Sequence, residues 1–284
     1  MSGCSSTAIE SSLFRKYQIL PSNVIAFPNQ VSGHGSFGDK SGVLCSHDQR
    51  VVFKPLQCHP KGPNEIALYQ KVFDSSCTNS DLLALRRFIP KFKGLFINHV
   101  NNQLYLCLKN VLHGFVQPCV CDFKMGQRTY TPDAPLSKIN TELAKYKWQS
   151  ELGFCICGMK VSIRLFLGPD IVHAQYLAQR FLSQLNDLAS WFDRQNQLSF
   201  YASSLLLAYD YISSRDTVPS QVDHIRVYLI DFTRWRPLKP CHDSDPSECP
   251  LVDENFLFGL NVLRSLFERA STDGEPNDTH VTQD

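Results

Sequence analysis

Between residues 170 and 195 the apolar side chains of Ile171, Ala174, Leu177, Phe181, Leu185, Leu188 and Phe192 recur every three or four positions, the spacing that lines one face of an α-helix. A long helix is predicted there, and a terminal one over residues 255–269. Between them, two apolar runs over residues 200–209 and 226–232 predict strands. The first half has a different rhythm. Residues 51–57, 103–109 and 119–124 are short β-rich runs. They are separated by shorter helices, one over residues 64–73 opened by Gly62-Pro63 and another capped by Ser80 and stopped by Pro90. A sheet-rich first part and a more helical second part predict an α+β fold of two lobes with a cleft between them.

Residues 137–146 carry a split pattern, with Ile139, Leu143 and Tyr146 on an apolar stripe and Lys138, Thr141, Glu142 and Lys145 on a polar one. The Ser-rich residues 1–16 are expected to form a flexible N-terminus, and the polar residues 271–284 a disordered tail. A single domain is left over residues 17–270.

Composition narrows the class. In 284 residues, 43% are hydrophobic and 19% charged, which excludes wholesale disorder and a collagen-like chain. Lys and Arg number 28 against 27 Asp and Glu, a net +1. Any anion site must therefore be local, and no nucleic-acid partner is expected. No apolar run approaches the roughly 20 residues that span a bilayer, so stable membrane insertion is not expected. The start of the chain lacks the basic and apolar regions of a secretory signal, and the 11 cysteines are an odd count. Reduced thiols and a cytoplasmic or nuclear location are expected.

Four places could carry chemistry. Asp122 and Lys124 lie two apart on an expected strand and so share a face. A carboxylate that orients a hydroxyl beside an ammonium that neutralises a moving phosphoryl group suits phosphoryl transfer; an ordinary ion pair at a strand end fits the spacing equally. Asp231 stands where an apolar strand meets a loop, a place to hold Mg²⁺ under nucleotide phosphates or to cap a turn. Lys54, inside an apolar strand, could be partnered by Glu65 and present its amine to phosphates, or could extend outward from an edge strand. Between residues 124 and 147, five basic residues (Lys124, Arg128, Lys138, Lys145, Lys147) face two acids, Asp133 and Glu142. That local excess suits a small polyanion, or a solvated helix face.

Other signals are weaker. The Gly-rich stretch of residues 30–38 is neither a P-loop nor a dinucleotide fingerprint. Cys119/Cys121 and Cys155/Cys157 are spaced by one residue, unlike usual zinc pairs. Cys241, His242 and Cys249 share a polar loop, and Ser203-Ser204 lacks the turn of a hydrolase nucleophile.

Taken together, these residues resemble the inositol polyphosphate kinases. Pro118, Asp122, Lys124 and Gly126 match that family's Pro-x-x-x-Asp-x-Lys-x-Gly signature. The companions appear in order: Lys54-Pro-Leu-Gln57, Ser203-Ser-Leu-Leu206, Ile230-Asp-Phe232 and Gly259-Leu-Asn-Val-Leu-Arg264. Within the family, Lys61-Gly-Pro-Asn-Glu65, Gly158-Met-Lys160 and the run of residues 198–206 resemble the multikinase branch most. There is no His-Arg-Asp loop and no Asp-Phe-Gly, as a protein kinase proper would have.

The resemblance implies a protein-kinase-like fold. An N-lobe with an antiparallel sheet and helices would span about residues 17–111 and a larger mixed C-lobe about residues 112–270, with ATP in the cleft. It implies transfer of the γ-phosphate of ATP, with Mg²⁺, to inositol polyphosphate hydroxyls, from tris- to tetrakis- and pentakisphosphate. The alternatives are a non-catalytic inositol-phosphate-binding or scaffold relative and a hexakisphosphate kinase. Carried over by motif, Lys54 would hold ATP phosphates, the backbone of Lys109, Asn110 and Val111 would meet adenine, and Asp231 would bind the metal. Lys124 would stabilise the transferring group, and Asp122 would contact the nucleotide or orient the hydroxyl. Lys61, Lys138, Lys145 and Arg234, with Lys124, would face the inositol phosphates. A monomer is expected.

The chain departs from the family at four points: Lys109 replaces an acidic residue and Arg234 a His. Glu142 adds an acid where substrate choice is made, and the segment after Lys160 is short.

Overall fold

The computed structural model of the chain describes residues 17–30, 42–159, 166–211, 225–238 and 251–272. The Gly-rich stretch beyond Gln30, Lys160 and the short segment after it, the Cys241/His242/Cys249 loop, and the expected flexible N-terminus and most of the tail lie outside the described residues.

The first sheet has six strands: β1 (Gln18–Ile19), β2 (Ile25–Ala26), β3 (Leu44–Cys45), β4 (Val51–Pro55), β5 (Phe92–Ile97) and β6 (Leu104–Lys109). Their order is β1-β5-β6-β4-β3-β2, antiparallel except for the short β1–β5 pair. Alternation along β4 sets the direction of its lysine. Phe53 packs with Tyr105 and Cys107 on one face, while Val52 packs against the main core, so Lys54, two residues on from Val52, projects on the core side of the sheet.

Helices α1 (Lys61–Phe73) and α2 (Ser80–Leu85) connect β4 to β5. The first starts three residues before the expected position. Pro60 is its N-cap, and Pro63 is tolerated in a first turn whose amides have no helical partners. Gly62 is required there, because a Cβ would lie 2.2 Å from the Gln57 carbonyl oxygen. The cap of α2 is Asn79 rather than Ser80: its side-chain oxygen accepts hydrogen bonds from the amides of Asp81 and Leu82.

The second sheet is built from β7 (Pro118–Met125), β8 (Phe154–Met159), then β10 (Ser204–Asp210) and β11 (Ile225–Ile230), in the antiparallel order β11-β10-β7-β8. Between β7 and β8 lie helices α3 (Leu136–Leu143) and α4 (Gln149–Leu152). Strand β9 (Leu198–Phe200) pairs separately with β12 (Trp235–Pro237). The run expected as one strand over residues 200–209 is thus two strands, broken where Ala202 takes a left-handed φ of 53°.

Helices α5 (Ile171–Phe192) and α6 (Glu254–Thr272) pack together on the second sheet. Leu177, Phe181, Leu185 and Leu188 of α5 are buried with Leu260, Leu263 and Phe267 of α6, and the rings of Phe192 and Phe256 stack 4.4 Å apart. The same core takes in Leu68, Tyr69 and Val72 of α1 and Cys121, Phe123 and Met125 of β7, tying both sheets to one apolar interior. With the odd positions of β7 facing that core, Asp122 and Lys124 belong to its opposite face. No helix among the described residues is long and apolar enough to cross a membrane.

Candidate active site

A strand, the helix that follows it and a segment 177 residues further on meet at Lys54. Its ammonium donates to Glu65 Oε1 at 2.7 Å and to Asp231 Oδ1 at 2.5 Å. Glu65, on α1, is almost fully enclosed, with 2% of its side chain exposed, whereas 42% of the Asp231 side chain is open. The two carboxylates therefore have different tasks: Glu65 fixes the lysine and also accepts from the Phe232 amide at 3.2 Å, while Asp231 keeps an accessible edge.

Burial works against the charge on Lys54, yet the Asp231 and Glu65 carboxylates outweigh it and raise its pKa. Burial likewise opposes ionisation of Asp231, but Lys54 first and Lys124 next lower its pKa. The site therefore carries a paired ammonium and carboxylate at neutral pH. Asp231 is held at a left-handed φ of 65°, and its carbonyl accepts from Ser203 Oγ at 3.0 Å. A non-glycine residue in this region costs energy that the surrounding contacts must sustain.

Neither simpler reading of these residues survives. Lys54 is on an interior strand of the first sheet, with β3 and β6 on either side, and is paired rather than extended into solvent. Asp122 is 1% exposed on an interior strand of the second sheet, so a surface ion pair does not describe it. Lys124, on the same face, is half-buried. Burial lowers its pKa, but Cys157, Cys155, Asp231 and Asp122 together raise it.

Beyond the end of β6, Asn110 is buried and its side chain is structural: Oδ1 accepts from Leu112 N at 2.9 Å and Nδ2 donates to Gln49 O at 2.7 Å. Next to it Leu112, Val120 and Ala208 form a small apolar cluster with Phe27, Val111, Phe115 and Leu206. Of the backbone groups expected to meet adenine, Lys109 N donates to Lys91 O, Asn110 N to Arg50 O, and the Val111 carbonyl accepts from Arg226.

On the other side a cavity of about 740 Å³ opens, lined by Lys61, Tyr130, Thr131, Lys138, Arg234 and Arg236 among others. Asn64 Nδ2 donates to the carbonyls of Thr233 and Trp235 and holds the turn that carries Arg234. Lys61 has its pKa lowered by burial and then by Arg234 and Lys138, the signature of like charges gathered in one place. At their centre is Glu142, 6% exposed, which accepts from Thr129 Oγ1 and from Lys145 Nζ, each at 3.0 Å, pairs with Lys138 and lies 3.8 Å from Arg234 Nη2. Of the expected cations, Lys138, Lys145 and Arg234 thus come together around a carboxylate with Lys61 near enough to feel its charge, while the partners of Lys124 are Cys157, Cys155, Asp231 and Asp122. Glu142 is legible in the sequence only as an added acid and Arg236 carries no signal there; the fold alone places one among the cations and the other on the cavity.

Among the described residues no group of three His, Cys, Asp or Glu side chains is placed to hold a metal ion. Asp231, with its open edge, fits a divalent cation that takes its remaining ligands from water and nucleotide phosphates, as Mg²⁺ commonly does.

A family model described as "Inositol polyphosphate kinase" matches residues 105–165 and 162–268. The chain belongs to the inositol polyphosphate kinase family. It is 34% identical over 213 residues to inositol polyphosphate multikinase from Homo sapiens, covering 66% of this chain and 51% of that protein. It is 26% identical over 289 residues to inositol polyphosphate multikinase alpha from Arabidopsis thaliana, covering 84% and 95%. The chain thus spans about half the length of its human relative and nearly all of its plant one. Its fold is that of the crystal structure of inositol phosphate multikinase Ipk2 from S. cerevisiae in complex with ADP and Mn²⁺, with a TM-score of 0.57 at 21% identity over 78% of this chain and 98% of that one. The α+β, kinase-like architecture expected of an inositol polyphosphate kinase is the one observed, and the family signature lies on β7.

Proposed function

We propose that this chain transfers the γ-phosphoryl group of ATP to hydroxyls of inositol polyphosphates, from tris- to tetrakis- and pentakisphosphate, with Mg²⁺ as the divalent ion. The observation that carries the reading is one continuous arrangement. Lys54 is clamped by Glu65 beside the half-open Asp231, the Asp122/Lys124 face of β7 is electrostatically coupled to it, and the cavity lined by Lys61, Lys138, Arg234 and Arg236 takes in Asn64 and Thr233, one and two residues along the chain from Glu65 and Asp231. The human and Arabidopsis relatives carry the name inositol polyphosphate multikinase.

In this reading adenine rests on the Leu112, Val120 and Ala208 cluster and meets the backbone near Lys109, Asn110 and Val111. Since Lys109 N, Val111 O and both the amide and the carbonyl of Asn110 are engaged within the protein, Val111 N and the Lys109 carbonyl are the groups to test. Lys54 neutralises nucleotide phosphates and Asp231 holds the metal, which when bound screens phosphate charge. Lys124 stabilises the moving phosphoryl group, and Asp122 orients the acceptor hydroxyl or contacts the nucleotide. Lys61, Lys138, Lys145 and Arg234 receive inositol phosphates, once these displace Glu142 from its partners. The enzyme acts as a monomer in the cytoplasm or nucleus.

The test is incubation of the purified chain with Mg-ATP and inositol phosphates from tris- to hexakisphosphate, resolved by anion-exchange chromatography. Conversion of trisphosphate to tetrakis- and pentakisphosphate is expected, and Lys124→Ala should lower turnover about 10²- to 10³-fold without changing the melting temperature. Product from hexakisphosphate alone would assign a pyrophosphate-forming kinase. Binding without product from any substrate would assign a non-catalytic relative.

A further inference from the structure

Strand β8 lies beside Lys124 and carries two cysteines. Cys155 is the cross-strand partner of Lys124. The register then shifts, with Ile156 opposite Phe123 and Gly158 opposite Asp122, so that Cys157 is the extra residue of a β-bulge. A bulge re-aims a side chain out of the regular alternation, and here the two sulfurs lie 3.7 Å apart. The pair is asymmetric: Cys157 is exposed and Cys155 only partly so. Cys157 is also near enough to the Lys124 ammonium for its pKa to be lowered by that charge. Among the described residues no third ligand accompanies the two thiols, so a metal site does not account for them.

We propose that Cys155 and Cys157 are an oxidisable thiol pair, closed by peroxide into an intrastrand disulfide that withdraws the sulfur partners of Lys124 and slows phosphoryl transfer until it is reduced. The geometry supplies the three requirements of such a site: an accessible sulfur, a neighbouring cation that favours its thiolate, and a second thiol in contact to resolve the oxidised form. The hydrogen bond from Cys155, and to a smaller degree the Lys124 ammonium, hold Cys157 down to about 7, while that bond and burial push Cys155 up. The remaining buried thiols are set against oxidation. Burial pushes Cys107 up to about 11 and Cys121 up to about 12, and Cys45 also upward.

The chemistry balances with one equivalent of hydrogen peroxide. The Cys157 thiolate attacks one peroxide oxygen and the O–O bond breaks, leaving a sulfenic acid and a hydroxide that takes up a proton to become water. The Cys155 sulfur then attacks the sulfenic sulfur, the S–O bond breaks, and the departing hydroxyl leaves with the Cys155 proton as a second water. Two thiols lose two electrons, and the peroxide gains them. The sulfurs, 3.7 Å apart, must close to the roughly 2.05 Å of a disulfide. The thiol chemistry stands by itself, whereas its effect on turnover rests on the role of Lys124 proposed above.

The experiment treats the reduced full chain with limiting hydrogen peroxide, alkylates the remaining thiols, and follows peptide masses and kinase turnover together. The expected result is loss of two hydrogens from the peptide that holds both Cys155 and Cys157, before the exposed Cys58 reacts. A several-fold fall in turnover should accompany it, and dithiothreitol should reverse both. In Cys155→Ser, Cys157 should instead accumulate as a sulfenic acid that a dimedone-type nucleophile traps. Oxidation no faster than at Cys58, or a sulfinic acid without disulfide in the wild-type chain, overturns the pair. A disulfide with undiminished turnover overturns its link to Lys124. If the reduced chain has no kinase turnover at all, the functional reading fails, and the peptide masses still decide the thiol pair.

Discussion

Lys138, Lys145 and Arg234 converge on the one carboxylate of Glu142, and an inositol phosphate entering the cavity competes with it for all three. Glu142→Gln keeps the hydrogen bond from Thr129 within reach but removes the competing charge. The Michaelis constant for inositol trisphosphate should fall several-fold with little change in kcat, as expected when ground-state and transition-state binding improve together; an unchanged Michaelis constant would place substrate elsewhere. The same residue has a signature in stability. Burial opposes the charge of Glu142, but hydrogen bonds from Lys138, Lys145 and Thr129 prevail and hold it at about 2. A lowered carboxylate stabilises the fold above its unfolded pKa of about 4.3, and that contribution is lost as pH falls towards about 2. Urea midpoints should therefore drop less between pH 4 and pH 2 in Glu142→Gln than in the wild-type chain.

Among the elements, those with a strong period were readable and those set by one backbone torsion were not. Helix α5 runs Ile171–Phe192 where its apolar face said it would, and β7 carries Asp122 and Lys124 on one face as spacing required. The break after Phe200 left no trace, because Ala202 is no signal for a left-handed turn. Nor did sequence connect Lys54 with Asp231, 177 residues away. The join between β9 and α6 depends on Asp253, whose Oδ2 accepts from Phe200 N at 2.6 Å while Oδ1 caps the helix through Phe256 N at 3.1 Å. Burial pushes this carboxyl up to about 7, against the pull of those two amides. A raised carboxyl binds its proton more tightly in the folded state, so stability is greatest below the unfolded value of about 3.9 and declines as pH rises towards about 7. Asp253→Asn keeps an oxygen for the Phe256 amide but turns an amide donor on the Phe200 N–H, so the chain should be less stable at every pH while that decline flattens. Asp253→Ala leaves both amides without acceptor and should cost about 3 kcal/mol in urea titrations.

For the molecule as a whole, the Lys54, Glu65 and Asp231 cluster joins the first sheet, its helix and the end of the second sheet at one point. Nucleotide binding and stability should therefore be linked, and substitutions there should separate the two. Asp231→Asn leaves Lys54 with Glu65, and Asn tolerates the left-handed backbone that Asp231 occupies, so the fold should survive with a melting temperature close to the wild-type value. Lys54→Met leaves the enclosed Glu65 carboxylate without its cation, and loss of one partner from a buried pair costs about 3–5 kcal/mol. The two variants should therefore differ most without ligand, whereas added ligand separates Asp231→Asn from the wild-type chain. At 100 times its dissociation constant, a ligand that binds only the folded chain stabilises it by about 2.7 kcal/mol, several degrees in the melting temperature of a chain this size. Mg-ATP should produce that shift in the wild-type chain and little in Asp231→Asn, whose fold is intact but whose metal ligand is gone. An equal shift in both would show that Asp231 does not hold the metal, and would move the divalent site away from the end of β11.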